Sequence, residues 1–306
     1  MTVVVLAAAV VQLTAACQGS PPSGTGSDPP PSTTATQRAT VRPSAGAAAP
    51  VRRPRVPAGV TAGYVVYDRS ARRVTLQYNA HHRFRSASVV KILIALDYLA
   101  ARPAGTAIPA SDLALLRSML RYSDDDAATA LWTRGGRVRV IQRMTAALRL
   151  TGTRPPPAGK PGFWGYTAIS AADVVRIYRY LLDPEHRRFG DFIMGQLRRA
   201  TRCAADGFDQ YFGIPAAVAR PWAVKQGWSG YGSVPPQQCV RARTSQVRNQ
   251  DPGVDLARPV LHTTGTAGPA DRLIVVVLSL HPQGGSWRTA TARLTALTKA
   301  VYRAGS

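Results

Sequence analysis

Acidic residues are scarce in this chain, and glutamate is nearly absent. Its 306 residues include 39 Lys and Arg but only 16 Asp and Glu, which gives a formal net charge of +23 at pH 7. Glu185 is the single glutamate, and no acidic residue lies between Asp126 and Asp173. A carboxylate acting as a general base contributes a factor of about 10²–10⁴ to a reaction rate. The central stretch of the chain cannot supply such a base.

Cysteine is also scarce, and no cysteine or histidine pattern indicates a metal site. The three cysteines are Cys17, Cys203 and Cys239. His81 and His82 are adjacent in an extended stretch, so their side chains would point to opposite faces and would not chelate one ion together. We therefore expect no metal and no cofactor. Cys17 follows an apolar amino-terminal segment and is treated below as a modification site. The two remaining cysteines are candidates for a disulfide in an oxidising compartment.

Lysine is rare too, because arginine supplies nearly all of the positive charge. The arginines are spread along the chain and no nucleic-acid-binding motif accompanies them, so specific nucleic-acid binding is not expected. The net charge does predict non-specific attraction to anionic envelope polymers or lipid head groups. The four lysines are Lys91, Lys160, Lys225 and Lys299.

The amino terminus has no apolar run long enough to span a bilayer comfortably. Residues 1–16 are almost wholly apolar, and small residues precede Cys17. Residues 1–17 resemble a bacterial lipoprotein signal, whose cysteine becomes lipidated, although Thr14 stands where that signal has an aliphatic residue and no Lys or Arg precedes the apolar run. This interpretation predicts export and anchoring to the outer face of the cell membrane. A plain secretory signal, which would give a secreted protein, and an uncleaved anchor are the alternatives.

Large apolar side chains are almost missing from residues 18–57, which consist mainly of Pro, Ser, Thr, Gly and Ala. Such a segment cannot bury enough surface to offset the entropy lost on ordering it. We therefore predict a disordered tether at 18–57 and a single folded domain, expected to be monomeric, at 58–306.

Hydrophobic periodicity places strands at both ends of this domain and helices between them. Strands are predicted at 63–68, 74–78, 222–225, 258–264 and 273–280, the last of them buried on both faces. Helices are predicted at 88–99, 113–120, 127–132, 138–150, 174–182 and 290–304, with Ser111 and Asp112 capping the second and Ser170 and Asp173 forming a capping box before the fifth. The expected fold class is α/β (α+β): an antiparallel sheet formed by the N- and C-terminal segments, packed helices and an inserted all-helical lobe.

A serine and a lysine three residues apart open the first predicted helix. On a helix, positions i and i+3 share one face, so the Ser88 hydroxyl and the Lys91 amine can meet. A serine hydroxyl becomes a good nucleophile only when a nearby base takes its proton. The apolar run at 92–99 supplies the burial that such a lysine base needs. Ser88 and Lys91 therefore form a candidate nucleophile and base, with a solvated helix start as the alternative.

Two further motifs follow in order along the chain. Tyr122-Ser123-Asp124-Asp125-Asp126 lies at the entrance of a predicted helix, and Lys225-Gln226-Gly227 lies on a predicted strand. Glycine there lets another backbone approach closely. With these three motifs, the region from about residue 60 to residue 304 resembles the serine β-lactamase and penicillin-binding protein superfamily, most nearly its class A β-lactamase-like group, which has Ser-x-x-Lys, Ser-Asp-Asn and Lys-Thr-Gly in this order.

The resemblance implies a role for each matching residue. Ser88 would be the acylated nucleophile, Lys91 its base or proton relay, and Ser123 the shuttle that carries the proton to the leaving nitrogen. Lys225 would act electrostatically on Lys91 and attract a substrate carboxylate, assisted by the Gln226-Gly227 segment. The backbone N–H groups of Ser88 and Trp228 would form the oxyanion hole. The substrate class implied is β-lactams or peptides resembling those of peptidoglycan.

Three departures from the family pattern limit this expectation. Asp125 stands where the family has an asparagine, and an ionised carboxylate would repel a substrate carbonyl unless it is protonated or paired with Arg or Lys. Gln226 replaces a hydroxyl residue that helps to hold the substrate carboxylate, and its amide is expected to donate a hydrogen bond there from a longer side chain. The Pro/Gly-rich loop at 151–165 holds no carboxylate to hydrolyse an acyl-enzyme, and Glu185 is expected in a turn between helices.

Three functions are therefore open. The first is an envelope-anchored serine hydrolase that is acylated on Ser88 by β-lactams or D-Ala-D-Ala-type peptides and is deacylated slowly. The second is a non-catalytic binding lipoprotein that retains the fold. The third, which rests on charge alone, is a basic adhesin for anionic wall polymers. At single positions, Ser123 could instead be a helix N-cap, Lys225 a solvated strand residue and Gly227 a bulge.

Overall fold

The computed structural model describes residues 53–239 and 254–306. The predicted signal at 1–17, with Cys17, and the predicted tether as far as residue 52 lie outside the described residues. A compact unit spans Ala49–Ser306. In the part of the chain that the structure describes, no helix combines the length and the hydrophobicity needed to cross a membrane.

Five strands form one antiparallel sheet in the order β2-β1-β7-β6-β5. The central strand β7 is buried along its whole length, as its uninterrupted apolar sequence predicted, and β5 forms one edge. The first two and the last three strands in sequence therefore build a single sheet, which confirms the predicted arrangement. The five strands are β1 (Thr61–Asp68), β2 (Arg73–Tyr78), β5 (Trp222–Ser229), β6 (Val260–Ala267) and β7 (Leu273–Leu280); two short strands, β3 (Arg83–Arg85) and β4 (Ala168–Ser170), pair with each other.

Helices cover both faces of the sheet. Val65 and Tyr67 of β1 pack into the core that the inserted helices α1–α6 share, whereas Tyr64 and Val66 pack into the core beneath α8. This alternation follows from the two-residue period of a strand with both faces buried. The helices are α1 (Lys91–Ala100), α2 (Ala110–Arg121), α3 (Asp125–Arg134), α4 (Val138–Leu148), α5 (Ala171–Leu181), α6 (Arg187–Leu197), α7 (Ile214–Ala217) and α8 (Trp287–Gly305).

The second helix begins earlier than the sequence pattern predicted. Pro109 is the residue before α2, and no side chain caps the helix. Asp112 lies in the first turn, where its carboxylate accepts hydrogen bonds from the Tyr98 hydroxyl and from Arg134, each at 2.5 Å. The prediction that Ser111 and Asp112 cap this helix is wrong, because the carboxylate is committed to these tertiary contacts.

The predicted cap of the fifth helix is present, although its acid has a different partner. Ser170 Oγ accepts a hydrogen bond from the Asp173 backbone N–H at 3.2 Å. The Asp173 carboxylate accepts from the Gly152 N–H and the Thr153 hydroxyl, both at 2.8 Å. Asp173 therefore fixes the start of the loop that follows α4. Glu185 lies in an exposed 3₁₀ turn between α5 and α6, as expected.

A buried histidine attaches the segment before Ser88 to the sheet. His262 of β6 accepts a hydrogen bond from the Ser279 N–H at its Nδ1, so its Nε2 carries the proton and donates to the Arg85 carbonyl at 2.8 Å. Burial lowers the pKa of His262 to about 4, and that of the buried His281 also to about 4. Both rings are therefore neutral in the folded protein at neutral pH.

These histidines predict a loss of stability in mild acid. The unfolded chain, with histidine pKa values near 6.5, binds more protons than the folded one between pH 6.5 and 4, so the free energy of unfolding falls as the pH drops through this range, by up to about 1.4 kcal/mol per pH unit for each histidine. Denaturant unfolding at several pH values measures this slope. His262→Gln should be less stable at pH 7 and should show a shallower slope. A wild-type stability that stays flat from pH 6.5 to 4.5 would contradict this account.

Candidate active site

Ser88 lies in a buried 3₁₀ turn, Ala87–Val90, that runs directly into α1. The apolar residues that follow bury this helix in the core, and Ser88 itself is only 6% exposed. Ala87 has a φ of 43°, in the left-handed region that costs a residue with a side chain about 1–3 kcal/mol. The surrounding packing holds this strained residue immediately before the serine.

The turn packs against the edge strand β5 at a glycine. A Cβ atom added at Gly227 would lie 3.0 Å from the Ser86 carbonyl oxygen, 3.1 Å from the Val89 side chain and 3.3 Å from the Ser88 nitrogen. Any side chain at this position would press the turn away from the strand. Gly227 thus permits the close backbone approach that was predicted from the sequence. As a result, the Ser88 backbone N–H lies beside β5, the strand that carries Trp228.

Lys91 is the centre of the polar contacts in the site. Its side chain is fully buried, and its Nζ donates to the Ser123 carbonyl and to Asp125 Oδ1, each at 2.5 Å. The Ser123 hydroxyl lies 3.4 Å from the same nitrogen. Within residues 53–239 and 254–306, no hydrogen bond joins Lys91 to the Ser88 hydroxyl. The sequence predicted that these two side chains could meet on one helix face; in the structure the Lys91 amine is instead hydrogen-bonded to Asp125, at the start of α3.

Ser123 presents both of its oxygens to the lysines because its backbone is left-handed, with a φ of 56°. Helix α3 is capped by the next residue: Asp124 Oδ1 accepts from the Ala127 N–H at 3.0 Å, and its other oxygen accepts from Ser118 Oγ at 2.6 Å. The alternative in which Ser123 is itself the N-cap is wrong. Because Asp124 satisfies the helix end, the Ser123 hydroxyl remains available to the site.

Lys225 projects from β5 toward the same hydroxyl. Its Nζ donates to Ser123 Oγ at 2.8 Å and to the Gln226 carbonyl at 3.2 Å, and the residue is 1% exposed. Burial, and then repulsion by the charge on Lys91, lowers the pKa of Lys225 well below its usual value. The alternative of a solvated strand residue is wrong. Lys225 is a buried amine with a weakened hold on its proton, in contact with the Ser123 hydroxyl.

The loop that lacks an acid places a tryptophan over Lys91. Trp164 lies in a 3₁₀ turn, Trp164–Tyr166, with the centre of its ring 4.7 Å from Lys91 Nζ. Its indole N–H donates to Thr129 Oγ1 of α3 at 3.1 Å. The ring face attracts the ammonium through a cation–π interaction. The loop therefore covers the lysine with an aromatic surface and brings no carboxylate to it.

Gln226 does not face this cluster. Its amide nitrogen donates to the carbonyls of Gln210 and Phe212, and the residue is 1% exposed. Adjacent strand residues point to opposite faces, so Gln226 lies on the α8 side of the sheet while Lys225 lies on the side of the inserted helices. The prediction that the Gln226 side chain donates a hydrogen bond to a substrate carboxylate does not fit this geometry.

A second carboxylate, which the sequence analysis missed, lies beside Trp228. The Asp206 carboxylate accepts from the Trp228 indole N–H at 3.0 Å and from the Phe208 backbone N–H at 3.2 Å. Burial, and to a smaller extent repulsion by Asp125, raises the pKa of Asp206, whereas the hydrogen bonds from Phe208 and Trp228 and then the charge on Lys91 oppose that rise. Asp206 therefore interacts electrostatically with the Lys91 cluster. The one sequence signal for it was its position three residues after Cys203.

Cys203 and Cys239 form a disulfide, as their pairing in the sequence suggested. A β-bridge between Cys203 and Asp209 closes the segment that carries Asp206, and the Cys239 N–H donates to the Gly207 carbonyl at 2.9 Å. The disulfide thus holds the loop beside Trp228. Among the described residues, no group of His, Cys, Asp and Glu could hold a metal ion.

Two buried amines thus contact one hydroxyl next to the turn that holds Ser88. The amines of Lys91 and Lys225 both contact Ser123, so protons can pass among the three groups along existing hydrogen bonds. The structure brings Lys91, Ser123 and Lys225 together and places Asp125 on Lys91. Chemically, this is an arrangement suited to moving a proton between a nucleophile and a leaving group.

The fold is shared with solved β-lactamases and penicillin-binding proteins. The chain superposes on a class A β-lactamase from Mycobacterium abscessus with a TM-score of 0.56 at 19% identity, over 80% of this chain and 94% of that one. It superposes on PBP-A with a TM-score of 0.54 at 16% identity, over 81% and 91% of the two chains. A β-lactamase from Sphaerobacter thermophilus gives 0.56 at 16% identity, over 81% and 92%. The chain therefore has the serine β-lactamase/transpeptidase fold, as the three motifs predicted.

Similarity in sequence extends to mycobacterial proteins. No family model matches the chain. The protein named "Putative lipoprotein LppW" from Mycobacterium tuberculosis is 33% identical over an alignment of 250 positions, which covers 79% of this chain and 69% of that protein. Its counterpart of the same name from Mycobacterium bovis matches with the same identity and coverage. Identity at this level over most of both sequences shows that this chain belongs to the same family as the mycobacterial LppW proteins.

Proposed function

We propose that this chain is an envelope-anchored serine acyl-transfer enzyme that forms an acyl-enzyme on Ser88 with β-lactams or D-Ala-D-Ala-type peptides. The observation that carries the proposal is the convergence of Lys91 and Lys225 on the Ser123 hydroxyl, at 3.4 and 2.8 Å, beside the turn that holds Ser88. Proteins of the same fold include class A β-lactamases, and a mutant of PBP-A has been solved as an acyl-enzyme complex with penicillin G.

Acylation uses these groups in sequence. Lys91 acts as the base in its neutral form, after its ammonium has released one proton to solvent. Ser88 Oγ then attacks the acyl carbon and its proton passes to the Lys91 amine, directly or through Ser123. Ser123 delivers a proton to the leaving nitrogen as the acyl–nitrogen bond breaks. The Ser88 N–H, close to β5, and the Trp228 N–H stabilise the oxyanion. Acylation is slow, because Lys91 Nζ is engaged with Asp125 and the Ser123 carbonyl and must leave them to face Ser88.

Deacylation is slower still. Hydrolysis of the acyl-enzyme needs a base to activate water, and the loop that covers Lys91 offers the Trp164 ring in place of a carboxylate. General-base assistance contributes about 10²–10⁴ in rate, so its loss leaves a long-lived acyl-enzyme. The remaining acids at the site, Asp125 and Asp206, are engaged with Lys91 and with Trp228.

The amino-terminal sequence and the relatives support the proposed location in the cell envelope. We place Cys17 as the lipidated residue at the end of the signal at 1–17, and residues 18–57 as the tether that separates the membrane from the domain at 58–306. The mycobacterial relatives carry the word lipoprotein in their name. The Cys203–Cys239 disulfide fits an oxidising compartment outside the cytoplasm.

A second candidate function is a non-catalytic binding lipoprotein. The observation that favours it is the Lys91–Asp125 ion pair at 2.5 Å, which occupies the amine that would serve as the base. If binding is the function, a strain that makes normal amounts of folded Ser88→Ala protein should have the wild-type phenotype. Loss of the phenotype in that strain would exclude the binding function.

Labelled penicillin tests the enzyme directly. Incubation of the folded protein with an excess of labelled penicillin for several hours should add one acyl group, which peptide mapping places on Ser88. Intact-protein mass spectrometry measures the adduct, and Ser88→Ala should show none. A folded wild-type protein without any adduct under these conditions, with this and other activated acyl donors, would overturn the proposal.

Removing the carboxylate from position 125 should speed up acylation. In Asp125→Asn the ion pair is lost, Lys91 is released toward Ser88, and the amide supplies a donor to the substrate carbonyl. We expect the acylation rate to rise roughly tenfold, the change that about 1.4 kcal/mol in the barrier produces. A time course of labelling, quenched at successive times, measures the acylation rate. Asp126→Asn, on the same helix, is the matched control and should leave this rate unchanged. A slower reaction in Asp125→Asn would show that Asp125 assists catalysis.

A carboxylate placed over Lys91 should speed up deacylation. Trp164→Glu puts an acid into the loop position that covers the lysine, and the lifetime of the penicilloyl-enzyme should shorten by about 10²-fold. Loss of the adduct mass after removal of free penicillin measures this lifetime. Trp164→Gln is the matched control, because glutamine has the shape of glutamate without its charge, and the lifetime of its acyl-enzyme should stay long. Equal lifetimes in the two variants would mean that water activation is not what limits turnover.

A further inference from the structure

Gln226 is bound to a segment on the opposite side of the sheet from Lys225. Its side-chain nitrogen donates to the Gln210 carbonyl at 3.2 Å and to the Phe212 carbonyl at 2.5 Å, and the residue is 1% exposed. A serine or threonine hydroxyl has a single hydrogen and could bond only one of these carbonyls. Because a buried amide is costly to leave unpaired, the two bonds fix β5 against this segment.

Gln210 continues the connection to the backbone before Ser123. Its own side-chain nitrogen donates to the Arg121 carbonyl at 2.9 Å, and the residue is 2% exposed. The Ala205 N–H, from the same segment, donates to the Tyr122 carbonyl at 2.8 Å. The carbonyls of the two residues before Ser123 are therefore held by the segment that also binds Gln226.

These contacts form a closed circuit that includes the proton-carrying hydroxyl. Lys225 Nζ donates to Ser123 Oγ at 2.8 Å, and Gln226 is the next residue on β5. From Gln226 the circuit runs through Gln210 to Arg121, and then along two peptide bonds to Ser123. The φ of 56° at Ser123 is one that persists only where the surroundings hold it. Without the bond to Arg121, this backbone would relax and the hydroxyl would move away from the amine.

We propose that Gln226 and Gln210 are positioning residues, which together set the contact between Lys225 and Ser123. This role rests on the acyl transfer through Ser88 proposed above, and it gives a function in that reaction to the residue that replaces the family's hydroxyl. Each amide acts through the backbone that it holds and takes no part in bond making or proton transfer.

The pKa of Lys225 reports on this contact without any substrate. The chain has four lysines, so ¹³C labelling at lysine Cε gives four NMR signals to titrate, and the Lys225 signal is assigned by its loss in Lys225→Arg. Burial and then the charge on Lys91 lower this pKa, while Asp125 and Asp206 act in the opposite direction. Gln226→Met leaves these three charges in place, keeps the side-chain length and removes both donors. Water should then reach the amine, and its pKa should rise by about one pH unit, a tenfold change in proton affinity.

Acylation of Ser88 by labelled penicillin gives a second readout. Because the Ser123 hydroxyl carries protons in this reaction, Gln226→Met and Gln210→Met should each lower the maximal acylation rate by about tenfold, while the penicillin concentration that gives half this rate changes by less than about threefold. Quenched time courses at several penicillin concentrations measure both quantities. Gln226→Thr, whose hydroxyl offers one hydrogen instead of two, should shift the rate and the pKa of Lys225 in the same directions, and it replaces Gln226→Met should that variant fail to fold.

Gln196 supplies the matched control. It is also a buried glutamine, 5% exposed, but its side-chain oxygen accepts from the guanidinium of Arg121 at 2.8 Å, whereas Gln210 holds the Arg121 carbonyl. Gln196→Met should lose stability and keep the wild-type pKa of Lys225 and the wild-type acylation rate. Wild-type values in the folded variants of Gln226 and Gln210, or equal changes in Gln196→Met, would overturn the positioning role. A wild-type protein that is never acylated, but whose Lys225 pKa rises only with substitution of Gln226 or Gln210, would overturn the proposed enzyme and leave the positioning role standing.

Discussion

The buried ammonium of Lys91 is the constraint on which the rest of the site depends. A buried ammonium group is tolerated only when its hydrogens are engaged in hydrogen bonds and an opposite charge lies nearby. Here the Ser123 carbonyl, the Asp125 carboxylate and the Trp164 ring provide that pairing from two different segments. The strained backbone of Ser123 and the cap shifted onto Asp124 are consequences of bringing these groups to one nitrogen.

The same constraint connects two departures from the family pattern that look independent in the sequence. In this chain the counter-charge to Lys91 comes from α3, through Asp125. The loop at 151–165 then has no need to bring an acid to the lysine, and a tryptophan closes over it instead. The charge of Lys91 is therefore balanced from α3, and the loop at 151–165 is left without a carboxylate.

The sequence predicted the fold well because its signals are local and periodic. The apolar run of β7, the hairpin of β1 and β2 and the amphipathic α5 each fix an element by burial alone. The motif residues Ser88, Ser123 and Lys225 could be located because the three motifs that carry them are short and follow one another in the order of the family. The partners of polar side chains could not be predicted, because they depend on contacts between segments that are far apart in sequence. Gln226, for example, points away from the cleft because its amide donates to the carbonyls of Gln210 and Phe212. Asp206 was missed because its one sequence signal, a position three residues after Cys203, does not mark it as part of the site.

The arrangement of the sheet has a consequence for how the molecule assembles. β1 pairs along its length with β7, so that Thr61 lies opposite Leu280 and Asp68 opposite Leu273. The second of these strands leaves the ribosome, or crosses a membrane, long after the first. Closing so large a segment is entropically unfavourable until the final contacts form, which makes such pairings slow. One edge of β1 therefore stays unpaired until almost the whole chain is available. The turn that holds Ser88 reaches its place against β5 only within that completed sheet.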